Sequence, residues 1–302
     1  MDERQKSELL REAGNVIFDC PMDGYTTLSV GGKAEALYRA GDIVSLQRVV
    51  SYLACEEIPY RVIGKGSNLL ILDGGINGVV ITLCGELADF RPEAGKGEPI
   101  RAGGGLALAD LIRKCTRRGL GGGEFLAGIP GTVGGAVAMN AGAWGGEIQE
   151  LVTGIEIINA TGDVASMDRH HLDFTYRCLS LPGGAVIIKV ALDLKQETSE
   201  IVAGRVSEIL KRRKAKQPLA FPSGGSVFKN PPNEFAGRLI EEAGLKGKRI
   251  GGAMISEQHA NFIVNTGGAM ASDILALMNL AREKVKARTG IDLEPEIQVV
   301  GF

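Results

Sequence analysis

The chain has 302 residues, of which 44% are hydrophobic and 23% charged, with a formal net charge of −2. That balance supports one large or two ordinary folded domains, and it excludes both a disordered chain and the basic excess typical of nucleic-acid binders. Glycine stands out at 43 residues, roughly twice the usual share of about 7%, and it is clustered rather than spread as a linker.

The N-terminal stretch MDERQKSELLREAG is charged and lacks the apolar core of a secretory signal. The longest apolar runs, such as Val186–Val190, are too short to span a bilayer. A cytoplasmic protein is expected. Five cysteines form no CxxC pair, and His170, His171 and His259 do not pair with them at metal-ligand spacing. Neither a disulfide framework nor a metal centre is expected.

Along the chain, residues 1–20 read as a helix followed by a short extended piece. Asp42 can cap a helix running to Glu56, with Ile43, Leu46, Val49, Val50 and Leu53 on one face. Strands are expected over Tyr60–Gly64 and Gly78–Leu83, joined by the turn GKGSNLL (Gly64–Leu70). A helix over Leu106–Arg118 ends on Gly119. After the glycine-rich run GIPGTVGGAVAMNAGAWGGE (Gly128–Glu147) come strands over Leu151–Asn159 and Ala185–Leu194. A helix begins near Glu200 and ends in the basic stretch Lys211–Lys216. Pro218–Pro232 reads as an ordered loop, Phe235–Ala243 as a short helix, Asn261–Asn265 as a strand, Asp273–Arg288 as a helix capped by Ser272, and Glu296–Val300 as a last strand. The domain boundary is expected near residue 200, giving segments 1–199 and 200–302.

Seven glycines in the twenty residues Gly128–Glu147 can turn successive N–H groups into one concavity that holds an anion, and Thr132 and Asn140 can add side-chain hydrogen bonds. A diphosphate is a natural occupant. The turn Gly64–Leu70 offers a second set of donors. A GxGxxG opening a βαβ unit, a GxxxxGK[ST] P-loop and a GxSxG elbow are all missing from the sequence, which disfavours a Rossmann dinucleotide site, a P-loop ATPase and a serine hydrolase. A diphosphate cofactor held without those motifs points to a flavin enzyme of another architecture.

Seven motifs in order, TTLSVGGKA (Thr26–Ala34), GKGSNLL, GIPGTVGGAVAMNAGAWGGE, YRCLS (Tyr176–Ser180), GGSVFKNP (Gly224–Pro231), HANFIVN (His259–Asn265) and LEPEIQVVG (Leu293–Gly301), cover nearly the whole chain. By them it resembles the UDP-N-acetylenolpyruvoylglucosamine reductase family. The resemblance implies an α+β protein: an FAD-binding domain of the vanillyl-alcohol-oxidase type, with two α/β lobes, followed by a small α/β substrate domain. It also implies NADPH- and FAD-dependent reduction of the enolpyruvyl ether of UDP-N-acetylglucosamine to UDP-N-acetylmuramate in peptidoglycan precursor synthesis. In that reaction flavin N5 delivers hydride to the vinyl carbon and a proton follows.

On the matching positions, Ser226 is the implied proton donor, Arg177 holds the substrate carboxylate, and Glu296, if kept neutral by burial, donates a hydrogen bond to the enolate carboxylate. Gly64, Lys65, Gly66, Ser67, Asn68, Leu69, Gly128, Gly131, Thr132, Gly134, Gly135, Asn140, Ala141 and Gly142 are the implied FAD contacts. Tyr176, Arg213, Lys216, Asn230 and His259 are implied to lie at the substrate. Between Ala185 and Ser226 the chain has no tyrosine and no room for the insertion that covers the sugar nucleotide in some members, so it resembles the shorter subtype. An alcohol oxidase of the same fold, or a non-catalytic flavin or nucleotide-sugar module, are the alternatives. Neither has an evident use for Ser226, Arg177 and Glu296 together.

Overall fold

The computed structural model describes residues 1–92 and 99–302. Two compact units result, each discontinuous in sequence. One comprises Met1–Phe18, Glu35–Gly64 and Gly78–Lys211; the other comprises Asp19–Ala34, Lys65–Asn77 and Arg212–Phe302. The final crossing between the units lies between Lys211 and Arg212, inside a helix that starts at Ser199. The two early excursions were not anticipated, because each is a short segment whose partners lie far along the chain. Their apolar residues Leu28, Val30 and Leu70 are nevertheless buried in the core of the second unit.

The first unit opens with α1 (Glu3–Ala13), started by a capping box in which the Asp2 carboxylate accepts from Gln5 N and the Gln5 side chain accepts from Asp2 N. Helix α2 (Ile43–Cys55) starts as expected at Asp42, whose carboxylate accepts from Ser45 N at 2.7 Å. The two helices bury Leu9, Leu46, Val49, Val50 and Leu53 with Tyr38, Val79 and Ile81. These last three belong to a sheet ordered 16–21, 33–40, 76–83, 60–62, in which the outer pair, Tyr60–Val62 with Val79–Ile81, is parallel.

The rest of this unit is built on a five-stranded sheet ordered 164–168, 152–158, 186–192, 100–103, 90–91, antiparallel throughout. Helices α3 (Leu108–Arg118) and α4 (Val133–Ala138) cover one face, and Leu111, Ile112, Val133 and Val137 join Ile155, Val190 and Leu192 in one core. Gly119 ends α3 in the left-handed region, as its sequence predicts. The short α4 lies inside the glycine-rich run, where only loop was expected. Helix α5 (Ser199–Lys216) then leads out of the unit.

The second unit has an antiparallel sheet ordered 223–226, 262–265, 253–255, 249–250, covered by α6 (Ala236–Glu242) and α7 (Ala271–Thr289). Leu239, Ile240, Ile263, Ile274, Leu277 and Val285 fill its core. A parallel pair, Leu69–Ile71 with Gln298–Val300, belongs to the same unit. The segment Pro218–Pro232 differs from the expected loop, since Ser223–Ser226 is a strand. It lies at the sheet edge, where flanking prolines cost no ladder hydrogen bond. Helix α7 also differs. Ser272 is not its cap, and the Asp73 carboxylate instead accepts from Ala271 N at 2.8 Å and Ser272 N at 3.0 Å. Among the described residues no helix is long and apolar enough to cross a membrane.

Candidate active site

The two glycine loops meet at one contact. A Cβ on Gly64 would lie 2.4 Å from Oγ1 of Thr132, so the loop can pass Thr132 only as glycine. Gly66 follows at φ +59°, with a Cβ position 2.2 Å from the Tyr25 carbonyl oxygen, which again admits no side chain. Among the described residues, no acceptor takes the backbone N–H groups of Lys65, Gly66 and Ser67 in the first loop, nor those of Gly128, Gly131 and Thr132 in the second. Unengaged donors in glycine loops suit a diphosphate, so these residues fit FAD.

Not all of the glycine run serves that end. Gly134 N donates to the Gly104 carbonyl at 2.8 Å, and a Cβ on Gly134 would lie 3.0 Å from that oxygen, so this glycine lets α4 sit close on the preceding turn. Gly135 N donates to Thr132 Oγ1 at 3.3 Å, the N-cap of α4. Ala141 N donates to Ala136 O, and Gly142 pairs with Glu147 in a small hairpin.

The Asn140 side chain departs furthest from expectation. It is fully buried, at φ +39°. Its Nδ2 donates to Glu147 Oε2 at 2.9 Å and to the Thr175 carbonyl at 3.0 Å, while its Oδ1 accepts from Gln149 N at 3.3 Å. Its hydrogen-bonding capacity is spent inside the protein. Asn140 was expected as a cofactor contact for its polarity, and the chain uses that polarity to hold a hairpin.

That hairpin pairs Asp173–Thr175 with Cys178–Ser180 and turns at Tyr176 and Arg177. Arg177 adopts φ +60°, an uncommon region for a non-glycine residue. Its guanidinium lies 4.9 Å from the ring centroid of Tyr176, which is exposed, and a Cβ on Gly142 would lie 3.2 Å from Arg177 Nη1.

In the second unit, Ser226 ends the edge strand, opposite Phe262. Glu296 joins it there: Glu296 N donates to the Val227 carbonyl at 2.8 Å, and the Glu296 carbonyl accepts from Asn68 Nδ2 at 3.0 Å. The Val227 and Glu296 backbones are thus held together just beyond Ser226, with the Asn68 side chain tied to the Glu296 carbonyl. Asn261, a residue sequence reading did not single out, locks the chain beyond Ser226. It is buried, and its amide bonds Phe228 N at 3.0 Å and Phe228 O at 2.8 Å. Its position inside HANFIVN was the only available signal.

The remaining expected substrate residues also belong to this unit. Lys216, at the end of α5, is exposed. Arg213, one turn earlier, is buried, and burial pulls its pKa below the ordinary value. Asn230 Oδ1 accepts from Ala236 N at 3.1 Å and so caps α6. His259 packs edge-on against Phe262 at 4.9 Å, and its Nδ1 accepts from Asn261 N at 3.3 Å. Burial lowers its pKa, which keeps the ring neutral near pH 7.

An apolar pocket lined by Leu111, Cys115, Leu126, Leu192 and Val206 contains none of the expected site residues, and burial pushes its Cys115 thiol up to about 12. Asp168, His170 and His171 hold possible ligand atoms within 4.8 Å of one another, all three exposed.

Residues 34–168 match the FAD binding domain model, and the architecture is also that of p-cresol methylhydroxylase, at TM-score 0.56 and 11% identity over 95% of this chain and 88% of that one. The chain is therefore an α+β protein with an FAD-binding domain of the vanillyl-alcohol-oxidase type. Residues 217–300 match the C-terminal domain of UDP-N-acetylenolpyruvoylglucosamine reductase. A reductase of that name from Symbiobacterium thermophilum is 41% identical over 100% of this chain and 97% of its own length, and one from Alkalilimnicola ehrlichii is 45% identical over 93% of each. The crystal structure of the Thermus caldophilus enzyme superposes at TM-score 0.81 with 40% identity, over 95% of this chain and 98% of that one. The chain belongs to the UDP-N-acetylenolpyruvoylglucosamine reductase family.

Proposed function

We propose that this protein reduces the enolpyruvyl ether of UDP-N-acetylglucosamine to UDP-N-acetylmuramate, with NADPH as reductant, in the cytoplasm. The full-length kinship supports the substrate class. The observation that carries the chemistry is the strand junction at which Glu296 N bonds Val227 O, keeping a hydroxyl and a carboxyl on neighbouring backbones. FAD, when bound, relays the hydride equivalent from NADPH to the methylene carbon of the vinyl ether. The Gly64–Ser67 and Gly128–Thr132 loops hold its diphosphate.

As the methylene carbon is reduced, negative charge builds on the ether carbon and spreads into the substrate carboxylate. Arg177 binds that carboxylate and offsets the growing charge. Glu296 offers a hydrogen bond to the same developing enediolate. Ser226 gives its hydroxyl proton to the ether carbon, which completes net addition of hydride and proton across the double bond. A hydroxyl is a weak acid, but an enolate carbon is basic enough to take its proton.

The test follows NADPH oxidation by the FAD-loaded protein with and without the enolpyruvyl sugar nucleotide. Oxidation that rises with substrate and yields the lactyl ether is expected. Oxidation indifferent to substrate, or a colourless preparation that takes up no FAD, overturns the proposal.

A further inference from the structure

Resting on that reading of Arg177, we propose that Asn140 is a positioning residue for Arg177, and that the second half of the glycine-rich run exists to carry this amide. Arg177 lies in a two-residue hairpin turn at φ +60°. A lone arginine in that conformation is strained, and the strain persists only where the surroundings over-determine it. The structure supplies the determinant. The carbonyl of Thr175, the last paired residue before the turn, accepts from Asn140 Nδ2 at 3.0 Å. The other Nδ2 bond, to Glu147 Oε2 at 2.9 Å, sets the orientation of the amide, and Gln149 Nε2 holds the same carboxylate oxygen at 2.6 Å. Gln149 N closes the ring onto Asn140 Oδ1 at 3.3 Å.

Every polar atom of the fully buried amide thus has a defined partner, and one of those partners is the hairpin backbone. Asn140 itself sits at φ +39°, a region asparagine tolerates better than most residues, directly after α4. A Cβ on Gly142, two residues on, would meet the Gly146 carbonyl oxygen at 2.7 Å, Glu147 Cγ at 2.8 Å and Arg177 Nη1 at 3.2 Å, so this segment passes close beside the guanidinium. One short segment therefore holds the backbone of the turn and runs beside its arginine.

The test compares Asn140→Gly, Arg177→Ala and their double variant as FAD-loaded proteins. Asn140→Gly keeps the positive φ without strain and deletes only the amide. FAD content and the rate of flavin reduction by NADPH in the absence of substrate are expected to stay within about twofold of wild type. We expect kcat/KM for the enolpyruvyl substrate to fall at least tenfold, through both a higher KM and a lower kcat. In the Arg177→Ala background the same change is expected to add less than twofold, because nothing is left to position. Multiplicative loss in the double variant, or loss of FAD from Asn140→Gly, overturns the assignment. Full turnover by Arg177→Ala overturns instead the reading on which it rests. If Asn140→Gly does not accumulate, Gln149→Ala, which loosens the Glu147 carboxylate, is expected to shift the same constants in the same direction by a smaller factor. No shift in those constants then overturns the assignment.

Discussion

Gly64→Ala tests the meeting point of the two loops with one methyl group. That methyl would lie 2.4 Å from Thr132 Oγ1 and 3.2 Å from its Cγ2, and Thr132 is itself buried. Thr132 can retreat only by rotating its hydroxyl away from Gly135 N, which uncaps α4. Overpacking of this kind costs about 1–3 kcal/mol, and losing an N-cap costs about 1 kcal/mol. If FAD requires the wild-type loop, the two costs together, about 2–4 kcal/mol, weaken its binding by roughly thirty- to seven-hundred-fold, at about 1.4 kcal/mol per tenfold. The assay is FAD titration of apoprotein by flavin fluorescence quenching, on Gly64→Ala, Thr132→Ala and the double variant. Thr132→Ala alone forfeits only the cap, so a loss of about fivefold is expected. In the double variant only a 3.3 Å contact with the Cβ of residue 132 remains, and binding is expected to recover to near the Thr132→Ala level. Losses that simply multiply would mean the two residues act independently, and the idea that the loops converge there would be abandoned.

Ser226→Ala is expected to leave reduction of the bound flavin by NADPH intact and to lower turnover by about 10²–10⁴, the usual range for a removed general acid; stopped-flow separation of the half-reactions distinguishes the two. Normal turnover would remove Ser226 from proton donation. Asp73 gives a pH prediction. Burial alone would raise its pKa, but the N–H donors of Ser272 and Ala271 outweigh it and hold the carboxyl below its ordinary value. The folded state therefore resists protonation, and the stabilisation is fully present above the ordinary carboxylate pKa of about 3.9 and is lost as pH falls from there through the lowered folded-state value. Because Asp73 is exposed, Asp73→Ala is expected to cost only about 1 kcal/mol at neutral pH and to shrink the acid-side loss of stability, read by denaturant titration at pH 7 and pH 3.5. An unchanged acid limb would contradict it.

The elements with a clear local signature were legible in sequence. Asp42 ahead of an apolar stripe announced α2, and Gly119 announced the end of α3, because caps and periodicity act within a few residues. What failed were features decided at a distance. The cap of α7 is a carboxylate from residue 73, nearly two hundred positions away. The strand Ser223–Ser226 forms because an edge awaits it beside Phe262–Asn265, and nothing in a proline-bounded stretch foretells a partner. Leu28, Val30 and Leu70 were visible as apolar residues, but no pattern in residues 19–34 or 65–77 says which core receives them.

The glycine-rich run shows where sequence reading of a site reaches its limit. Composition identified a place where backbone approaches something closely, and that inference holds at every glycine with a contact. It did not say what is approached. At Gly64 the neighbour is Thr132, at Gly134 it is the Gly104 carbonyl, and at Gly142 it is the Gly146 carbonyl of its own hairpin. In the first five residues of the run, the N–H groups of Gly128, Gly131 and Thr132 have no acceptor among the described residues. A glycine that avoids its own protein and a glycine that admits a ligand have the same sequence signature, since both lack a Cβ for the same steric reason. The same ambiguity covers Asn140, whose amide has equal chemistry for a phosphate oxygen and for a backbone carbonyl. Its three bonds to Glu147, Thr175 and Gln149 assign it to the carbonyl. On the reading proposed here, a segment that reads as a single anion cradle is two devices in series: a cradle in its first five residues, and from Asn140 onward a brace for the hairpin that bears Arg177.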